Sequence, residues 1–394
     1  MDCTIEGRTL AKAARAVKSI AGSSYIPALN HARIDGSYNG LEMKATDLES
    51  WIEYRIDAPA GAYDGAHAFI DTDRMLGAVK SLKGSQAVRL AEGVLQIGGA
   101  VITGADDIEA DYPIIPALNP CHAVMSWSGA EFKSIAKRWK ATAKKSGQTT
   151  RLTLCAVNVE YDIAGNGARF TTTDGYSMDH EAYGAALGPD ALAVMIPLDA
   201  LMKAAAAAGA KDTVQLGFMT SPADRFNQHA APYARIRIAS SAGSILYFIK
   251  TTDGEFPDYR RVIPKASSAK ASIDIAPADL ERIASAAREF APSDSRAITL
   301  TIESGGFGSA PHRSLRITAE SIAGAYSEVI DIIGRNQYGA DDIEPTSFSA
   351  DYLKALAGFG SASMSLHFQG PLQALRIDYG PDQVAVLMPL NLKK

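Results

Sequence analysis

Lysine side chains recur at helical spacing in the segment FKSIAKRWKATAKK, which begins at Phe132. The spacing i, i+4, i+7 and i+11 places four of them on one face of a helix, namely Lys133, Lys137, Lys140 and Lys144. The adjacent face is apolar and is expected to pack on a sheet through Phe132, Ile135, Trp139 and Ala143. Between residues 131 and 145, six basic residues accompany one acidic residue, in a chain of formal net charge −5. Such point charges suit sequence-independent contact with phosphates.

Other predicted helices carry basic residues as well. The helix that begins at Arg8 repeats the i, i+4, i+7 spacing with Lys12 and Arg15. Further basic residues on predicted helices are Arg74, Lys80, Lys83 and Lys203, whereas acidic neighbours dilute Arg282 and Arg288. Any surface helix displays Lys and Arg to water, so one basic helix decides little. Their recurrence on several helices favours a surface that meets phosphates.

Sequence signatures of common enzymes are absent. The chain has no GxxxxGK[ST], GxSxG or HExxH motif. The glycine-rich SGGFGS at 304–309 predicts a hairpin turn, and the acidic GADDIEAD at 104–111 lacks the spacing of a calcium-binding loop. The histidines show no paired metal spacing, and we expect His122, His229 and His312 in solvent-facing loops. We therefore expect no metal, no cofactor and no catalysis.

Composition describes an ordinary globular chain. Its 394 residues are enough for two or three domains, with 47% hydrophobic and 21% charged residues. No apolar run is long enough to span a bilayer, and the N-terminus lacks the order of a signal peptide. The cysteines Cys3, Cys121 and Cys155 fit neither a disulfide framework nor a metal site. We expect buried cysteines and a cytoplasmic location.

One order of elements recurs three times along the chain. Each copy opens with a short strand and an amphipathic helix, continues with paired strands and a second helix, and closes with alternating strands. The six predicted helices are Arg8–Ile20, Thr72–Leu82, Gly129–Ala143, Leu198–Ala208, Ala278–Phe290 and Ala350–Phe359. Period-two alternation around Gly, Pro and Ser turns indicates antiparallel sheets. The expected class is α+β, with two helices packed on antiparallel sheets in each of three copies.

Two local echoes support the repeat. Ala45-Thr46-Asp47-Leu48 ends a strand pair in the first copy, and Thr172-Thr173-Asp174-Gly175 does so in the second. The segments that leave these copies are also alike, with Asp-Tyr at 111–112 and again at 258–259. The third copy is the least regular. We predict domains at 1–122, 127–252 and 256–394, and three unrelated α+β domains are the alternative.

The run DGEFPDYRRVIPK at 253–265 strongly resembles the junction before the third domain in the beta sliding clamp of bacterial DNA polymerase III. Three further places resemble that family at suitable distances: 26–29 with 45–49, 172–175, and the terminal 386–390. The resemblance covers essentially the whole chain. It implies a non-catalytic processivity subunit, a head-to-tail homodimer that forms a ring around duplex DNA and resides in the cytoplasm on the nucleoid.

The resemblance also implies two sets of site residues. The DNA-facing residues would be Lys12, Arg15, Arg74, Lys80, Lys133, Lys137, Lys140, Lys144, Gln148 and Lys203. DNA polymerase and the clamp loader would dock through short linear peptide motifs in a pocket formed by Leu154, Thr173, Gly175, Tyr176, Met178, Pro257, Arg261, Val262, Val386, Leu387, Met388, Pro389, Leu390, Asn391 and Leu392. Apolar walls with a few orienting polar groups suit such a groove.

The chain departs from the family pattern at several positions. Tyr176 and Ser177 replace a common His-Arg pair, Met178 replaces Leu, and Asn391 replaces a common terminal Arg, with Lys393 and Lys394 beyond it. Gly22-Ser23-Ser24 lacks a basic or polar loop residue common after the first helix. The stretch 219–233 is longer than usual. These changes predict an altered motif preference.

Three other interpretations stay open at this point. A divergent clamp could serve one specialised polymerase or confer resistance to a clamp inhibitor, and the altered pocket motivates this idea. A DNA-processing enzyme with three α+β domains would need metal-dependent turnover, for which the sequence offers no constellation. A monomeric binding module would have the native mass of one chain.

Overall fold

The computed structural model describes residues 1–22, 24–58, 65–91, 93–113, 122–162, 167–189, 191–220, 232–305, 312–322, 324–333, 344–360 and 362–392. Several sequence features lie outside these ranges: Cys121, His229, Lys393, Lys394, most of the long 219–233 stretch and most of the 304–309 turn. No helix within the described ranges combines the length and apolar character needed to cross a bilayer.

The described chain repeats the order β-α-β-β-β-β-α-β-β-β three times. The helices are α1 Gly7–Ile20, α2 Thr72–Val79, α3 Gly129–Thr142, α4 Leu198–Ala207, α5 Pro277–Arg288 and α6 Ala350–Ala357. The predicted repeat and all six predicted helices are confirmed. The largest difference in helix ends is at α2, which stops at Val79 instead of Leu82 because the chain turns toward Gly84, whose φ is 64°.

Each copy supplies eight of the described strands. The first copy has β1 Asp2–Glu6, β2 His31–Ser37, β3 Gly40–Thr46, β4 Ser50–Asp57, β5 His67–Asp71, β6 Ser85–Ala91, β7 Val94–Ile97 and β8 Ala100–Thr103. The second has β9 His122–Ser128, β10 Ala156–Tyr161, β11 Gly167–Thr173, β12 Ser177–Gly184, β13 Leu192–Pro197, β14 Thr213–Thr220, β15 Pro232–Ser240 and β16 Gly243–Lys250. The third has β17 Ala271–Ile275, β18 Ala297–Gly305, β19 His312–Ser321, β20 Gly324–Asp331, β21 Thr346–Ser349, β22 Met364–Phe368, β23 Leu375–Gly380 and β24 Gln383–Leu387.

Two compact units contain these elements, and both draw on the second copy. Unit 1 comprises 1–136, 161–166 and 188–252, whereas unit 2 comprises 137–160, 167–187 and 253–394. The three predicted domain boundaries remain a prediction, since each unit combines parts of two copies.

Unit 1 holds two antiparallel sheets. A four-stranded sheet has the order β1-β6-β7-β8, and an eight-stranded sheet has the order β5-β2-β3-β4-β16-β15-β14-β9. The second sheet joins two copies, because β4 pairs with β16 over Ser50 to Ile56. Helix α1 covers this unit's core with Leu10, Ala14 and Val17, which recur at helical spacing and are fully buried.

Unit 2 follows the same plan. Its strands run in the orders β10-β11-β12-β24-β23-β22-β17 and β20-β19-β18-β21. Here β12 pairs with β24, as β4 pairs with β16 in unit 1. Helices α5 and α6 contribute Leu280, Ile283, Leu353 and Leu356 to a buried apolar core. The alternating burial of β17 and β22 reflects sheets with one face on that core.

His122 and His312, expected in loops, begin strands β9 and β19 instead, because each continues a run that pairs with a neighbouring strand. Cys3 and Cys155 are buried, as expected.

Candidate partner-binding groove and basic helices

Unit 2 contains a surface cavity of about 250 Å³, here called the groove. Four segments form it: the β11–β12 turn, the short helical turn Leu152–Cys155, the junction before the third copy, and strand β24 with the residue that follows it. Its lining is mainly apolar and consists of Arg151, Leu154, Thr173, Gly175, Tyr176, Ser177, Met178, Pro257, Asp258, Tyr259, Val262, Val386 and Met388.

The β11–β12 turn is held by its own side chains. Asp174 Oδ1 accepts hydrogen bonds from the backbone N–H of Tyr176 at 2.9 Å and of Ser177 at 2.7 Å. Thr173 Oγ1 donates to the Ser177 carbonyl at 2.7 Å. Gly175 has φ 91°, a backbone conformation that residues other than glycine rarely adopt. This turn places Tyr176, which is 61% exposed, at the rim of the groove.

The same turn is also held to α6 by a side-chain hydrogen bond. The Tyr352 hydroxyl donates to Asp174 Oδ2, so the same carboxylate serves the turn and the helix. Burial, and then this bond to Asp174, raises the pKa of Tyr352. The Tyr176 ring also lies 5.9 Å from Lys144 Nζ, measured to the ring centroid.

The junction segment is anchored by Tyr259. Its hydroxyl donates to Glu160 Oε2 at 2.7 Å, and Arg260 Nη2 donates to both oxygens of Glu160. The Tyr259 ring packs in a tilted arrangement against His180, with ring centroids 5.1 Å apart, and His180 Nδ1 lies 2.9 Å from Thr171 Oγ1. Burial raises the pKa of Tyr259 to about 12 and lowers the pKa of His180 to about 4. Two neutral packed rings, Tyr259 and His180, therefore lie beneath the groove.

The C-terminal strand closes the remaining side. Val386 pairs with Met178 across β12 and β24, and both side chains are buried beside Tyr259. Past the strand, the Met388 N–H donates to the Tyr176 carbonyl at 2.8 Å. The Leu390 N–H donates to the Ser347 carbonyl at 2.8 Å, which directs the terminus away along β21.

The structure brings nine of the predicted pocket residues to the groove lining. They are Leu154, Thr173, Gly175, Tyr176, Met178, Pro257, Val262, Val386 and Met388. The other six lie outside the lining. Leu387 is buried on the far face of β24, Arg261 is exposed and paired with Asp258 at 2.8 Å, and Pro389, Leu390, Asn391 and Leu392 follow the strand end.

Three lining residues were missed by the sequence interpretation, namely Arg151, Asp258 and Tyr259, whereas Ser177 was noted as a departure from the family pattern but not counted among the pocket residues. Asp258 and Tyr259 carry a usable signal, because the Asp-Tyr pair recurs in the segment that leaves the first copy. Arg151 carries none, since it lies in an irregular segment after α3.

The predicted DNA-facing residues are distributed over several helices. Exposed members are Arg15, Arg74, Lys80, Lys133, Lys137, Lys140 and Gln148. Lys12 and Lys203 are half-buried, with Lys12 Nζ 3.3 Å from Asp212 and Lys203 Nζ 3.4 Å from Asp47. Lys144 is half-buried beside Tyr176. The apolar face of α3 is buried as predicted, through Phe132, Ile135, Trp139 and Ala143.

Arg138 does not belong to the exposed positive charge of α3. It is buried, and it donates through Nη2 to Glu181 while its Nε lies 3.7 Å from Asp179 Oδ2. Gln383 Nε2 donates to Asp179 Oδ1 at 3.3 Å. Burial raises the pKa of Asp179 to about 6, since desolvation outweighs the attraction of Arg138.

Within the described ranges, no group of three or more His, Cys, Asp or Glu side chains is arranged to hold a metal ion. The side chains of Asp174, Tyr259 and His180 beside the groove are engaged in structural hydrogen bonds. The arrangement is suited to binding an extended apolar segment.

Comparison with known proteins identifies the fold. No protein-family model and no curated protein sequence matches the chain. Solved structures match it over 100% of both chains. They include a DNA polymerase sliding clamp from Bacillus subtilis, at 18% identity and TM-score 0.78. The beta subunit from DNA polymerase of Streptococcus pyogenes matches at 17% identity and TM-score 0.79 over 100% of both chains. The DNA polymerase III subunit beta from Pseudomonas aeruginosa bound to griselimycin matches at 19% and 0.77 over 100% of both chains. The chain has the α+β sliding-clamp fold.

Proposed function

We propose that this protein is a DNA sliding clamp: a non-catalytic, head-to-tail homodimer that encircles duplex DNA and tethers a replicative polymerase. The observation that carries the proposal is the pairing rule of its sheets. The fourth strand of the first copy pairs with the last strand of the second, β4 with β16, and β12 pairs with β24 by the same rule. That rule leaves β20 and β8 as edges of the two four-stranded sheets.

These two edges are complementary by repeat position. Strand β20 is the equivalent of β4 and β12, and β8 is the equivalent of β16 and β24. Unpaired edges expose backbone N–H and C=O groups that readily pair with another strand. Each edge also displays an apolar side chain, with Val101 64% exposed and Val329 37% exposed. Pairing β20 of one chain with β8 of another is heterologous, and two such contacts close a ring.

Contact with DNA follows from the basic helices. The exposed Lys133, Lys137 and Lys140 of α3 supply positive charge without the base-reading groups that sequence specificity needs. Ion pairs with carboxylates reduce the net positive charge that Lys12 and Lys203 present to phosphates. This favours weak, mobile attraction over tight binding. Retention on DNA would then come from ring topology, and the protein would act in the cytoplasm on the nucleoid.

The groove is the proposed docking site for linear motifs of the polymerase and the clamp loader. Val262 and Met388 present exposed apolar surface at its mouth, above the buried Met178 and Val386. Tyr176 adds an aromatic rim where related clamps carry positive charge, which supports an altered motif preference. Affinity for a generic clamp-motif peptide equal to that of a known clamp would refute that preference.

Loading on circular DNA tests the tethering mechanism. The protein is loaded with a compatible clamp loader and ATP onto nicked circular DNA, and its retention at high salt is measured before and after the circle is linearised. Retention on circles with rapid loss from linear DNA supports topological tethering. Loss from both, with a loader that loads a known clamp, or retention on both, refutes it.

Native mass tests the ring closure separately. The chain has a mass of 41.7 kDa, so the dimer should show twice that value. Val329→Asp places a charge at the β20 edge and is expected to give monomers. The control Leu372→Asp removes a more exposed apolar side chain, at a turn whose φ of 58° suits Asp. A dimer that survives Val329→Asp would contradict closure through β20.

A further inference from the structure

Unit 1 contains a second and larger cavity, of about 410 Å³, here called the first-repeat cavity. Its floor is the sheet β5-β2-β3-β4, and its roof is the segment 109–113 that leaves the first copy. Lining side chains include Trp51, Glu53, Phe69 and Tyr112.

The first-repeat cavity occupies the same place in its copy as the groove does in the second copy. Asp47 Oδ1 accepts from the Ser50 N–H at 2.6 Å, as Asp174 Oδ1 does from Ser177. The Lys250 N–H donates to the Glu49 carbonyl at 2.9 Å, as Met388 does to Tyr176. The roof is also equivalent, because Tyr112 holds the segment to the sheet by donating to the Lys44 carbonyl at 2.8 Å.

Strand register extends this equivalence to the side chains of the floor. The paired positions are Thr46–Trp51 and Lys44–Glu53 in the first copy, and Thr173–Met178 and Thr171–His180 in the second. Trp51 therefore stands where the groove has Met178. Glu53 stands where the groove has a neutral, packed His180. At these two equivalent positions the first copy therefore carries a carboxylate and an indole ring, where the second copy carries an imidazole and a thioether.

The ion pairs in and around the first-repeat cavity do not include the Glu53 carboxylate. Lys44 Nζ lies 2.8 Å from Glu42 and 3.3 Å from Asp35, and Arg33 Nε lies 2.8 Å from Asp35. The side chain of Glu53 is half-buried, and within the described part of the chain it forms neither an ion pair nor a hydrogen bond. Burial, and then repulsion from Glu42, raises the pKa of the Glu53 carboxyl. The positive charges of Lys44 and Arg55 act on Glu53 only without direct contact, so a cation entering the cavity would find a carboxylate that has no bonded partner among the described residues.

Aromatic rings flank this acceptor. Trp51 is 7% exposed, and Phe69 contacts Tyr112 with ring centroids 5.0 Å apart. Aromatic faces attract cations, and they stack well with the planar guanidinium group of arginine. Aromatic walls beside an unpaired, half-buried carboxylate are a setting for a basic side chain.

We infer that the first-repeat cavity is a second docking site, which takes an arginine or lysine side chain presented by an extended segment of a partner protein. Glu53 pairs with the cation, and the rings of Trp51, Phe69 and Tyr112 cover its stem. The site goes beyond the proposed tethering function and does not require ring closure or motif binding in the groove.

Fluorine NMR on the full-length protein labelled with 5-fluorotryptophan provides a local readout. The chain has three tryptophans, and Trp51→Phe assigns the resonance of interest. The probe is N-acetyl-arginine amide, compared at equal ionic strength with N-acetyl-citrulline amide, which has nearly the same shape and no charge. We expect the Trp51 resonance to shift saturably with the arginine probe. The citrulline probe should bind with an affinity at least about tenfold lower.

Two variants complete the test. Glu53→Gln should reduce the arginine response to the citrulline level, whereas the matched exposed control Glu320→Gln should leave it unchanged. Val262→Asp blocks the groove and should not affect the Trp51 response, which separates this site from the proposed function. A non-saturating shift, equal responses to the two probes, or a full response in Glu53→Gln would overturn the inference.

Discussion

Asp179 offers a sharp test of the electrostatics behind the groove. Its side chain is 1% exposed on β12, next to Met178, and it faces Arg138 and Gln383. Burial raises its pKa to about 6 from a usual value of 3.8. Ionised Asp179 therefore costs folding free energy at neutral pH, and Asp179→Asn removes this cost while it keeps the shape of the side chain.

The sign and size follow from linkage. A carboxyl whose pKa is raised in the folded protein stabilises the fold at low pH, and this stabilisation is lost as the pH rises through about 6. Between pH 5 and 7.5 the wild type should lose on the order of 1 kcal/mol of unfolding free energy relative to Asp179→Asn, since one pKa unit corresponds to about 1.36 kcal/mol. Any constant effect of the substitution cancels in this pH difference.

Urea unfolding of both proteins at fixed protein concentration measures the difference at pH 5, 6 and 7.5. Asp253→Asn, an exposed carboxylate in the same unit, serves as the matched control. A wild-type-minus-variant difference that stays constant with pH, or that changes in the opposite direction, would show that Asp179 is ionised throughout and that Arg138 offsets its burial.

Three further substitutions address the neighbouring features. His180→Gln removes a half-buried base whose pKa is lowered to about 4, so the wild type should lose roughly 2 kcal/mol of unfolding free energy relative to the variant as pH falls from 7.5 to 5, measured by urea unfolding. A pH-independent difference would contradict this. Val262→Asp should weaken binding of a clamp-motif peptide by about tenfold or more in fluorescence anisotropy, with Leu372→Asp as control; unchanged affinity would remove Val262 from the site. Lys137→Glu with Lys140→Glu should slow loading onto DNA about tenfold at low salt, with a smaller effect at high salt. Equal loading rates would exclude α3 from DNA contact.

Local patterns in the sequence were enough to predict the repeat. The Thr-Asp turns at 46–47 and 173–174 depend on side chains that bond their own backbone within three residues. The helices likewise follow from apolar spacing, as in Leu10, Ala14 and Val17. Such short-range physics can be inferred from one chain, so the order of elements was predictable throughout the three copies.

The floor of the groove could not be predicted in the same way. Tyr259 meets Glu160 about a hundred residues away along the chain, and the pair is defined only once β10 and the junction are packed. No short pattern connects two such positions. The departures at Tyr176 and Ser177 were visible, but the tie from Asp174 to Tyr352 that holds this turn was not.

The burial of Arg138 could have been predicted from its position on α3. Counting the basic residues of this helix does not show which side of the helix each of them faces. It lies three residues after Ile135 and four before Thr142, both of which are buried, so it belongs to the inner side of α3 and not to the lysine face. A buried guanidinium requires carboxylate partners, and β12 supplies them in Asp179 and Glu181.

This pairing has a mechanical consequence within unit 2. Arg138 fixes the rotation of the second half of α3 against β12, so the outward direction of Lys137 and Lys140 depends on the same strand that supplies Met178 to the groove. Strand β12 also pairs with β24, which carries Val386 on the opposite side of the groove. The proposed phosphate-facing lysines and the proposed motif site are therefore attached to one strand pair. A buried ion pair is a costly way to hold a helix, and here it joins α3 to β12 through two carboxylates, Asp179 and Glu181.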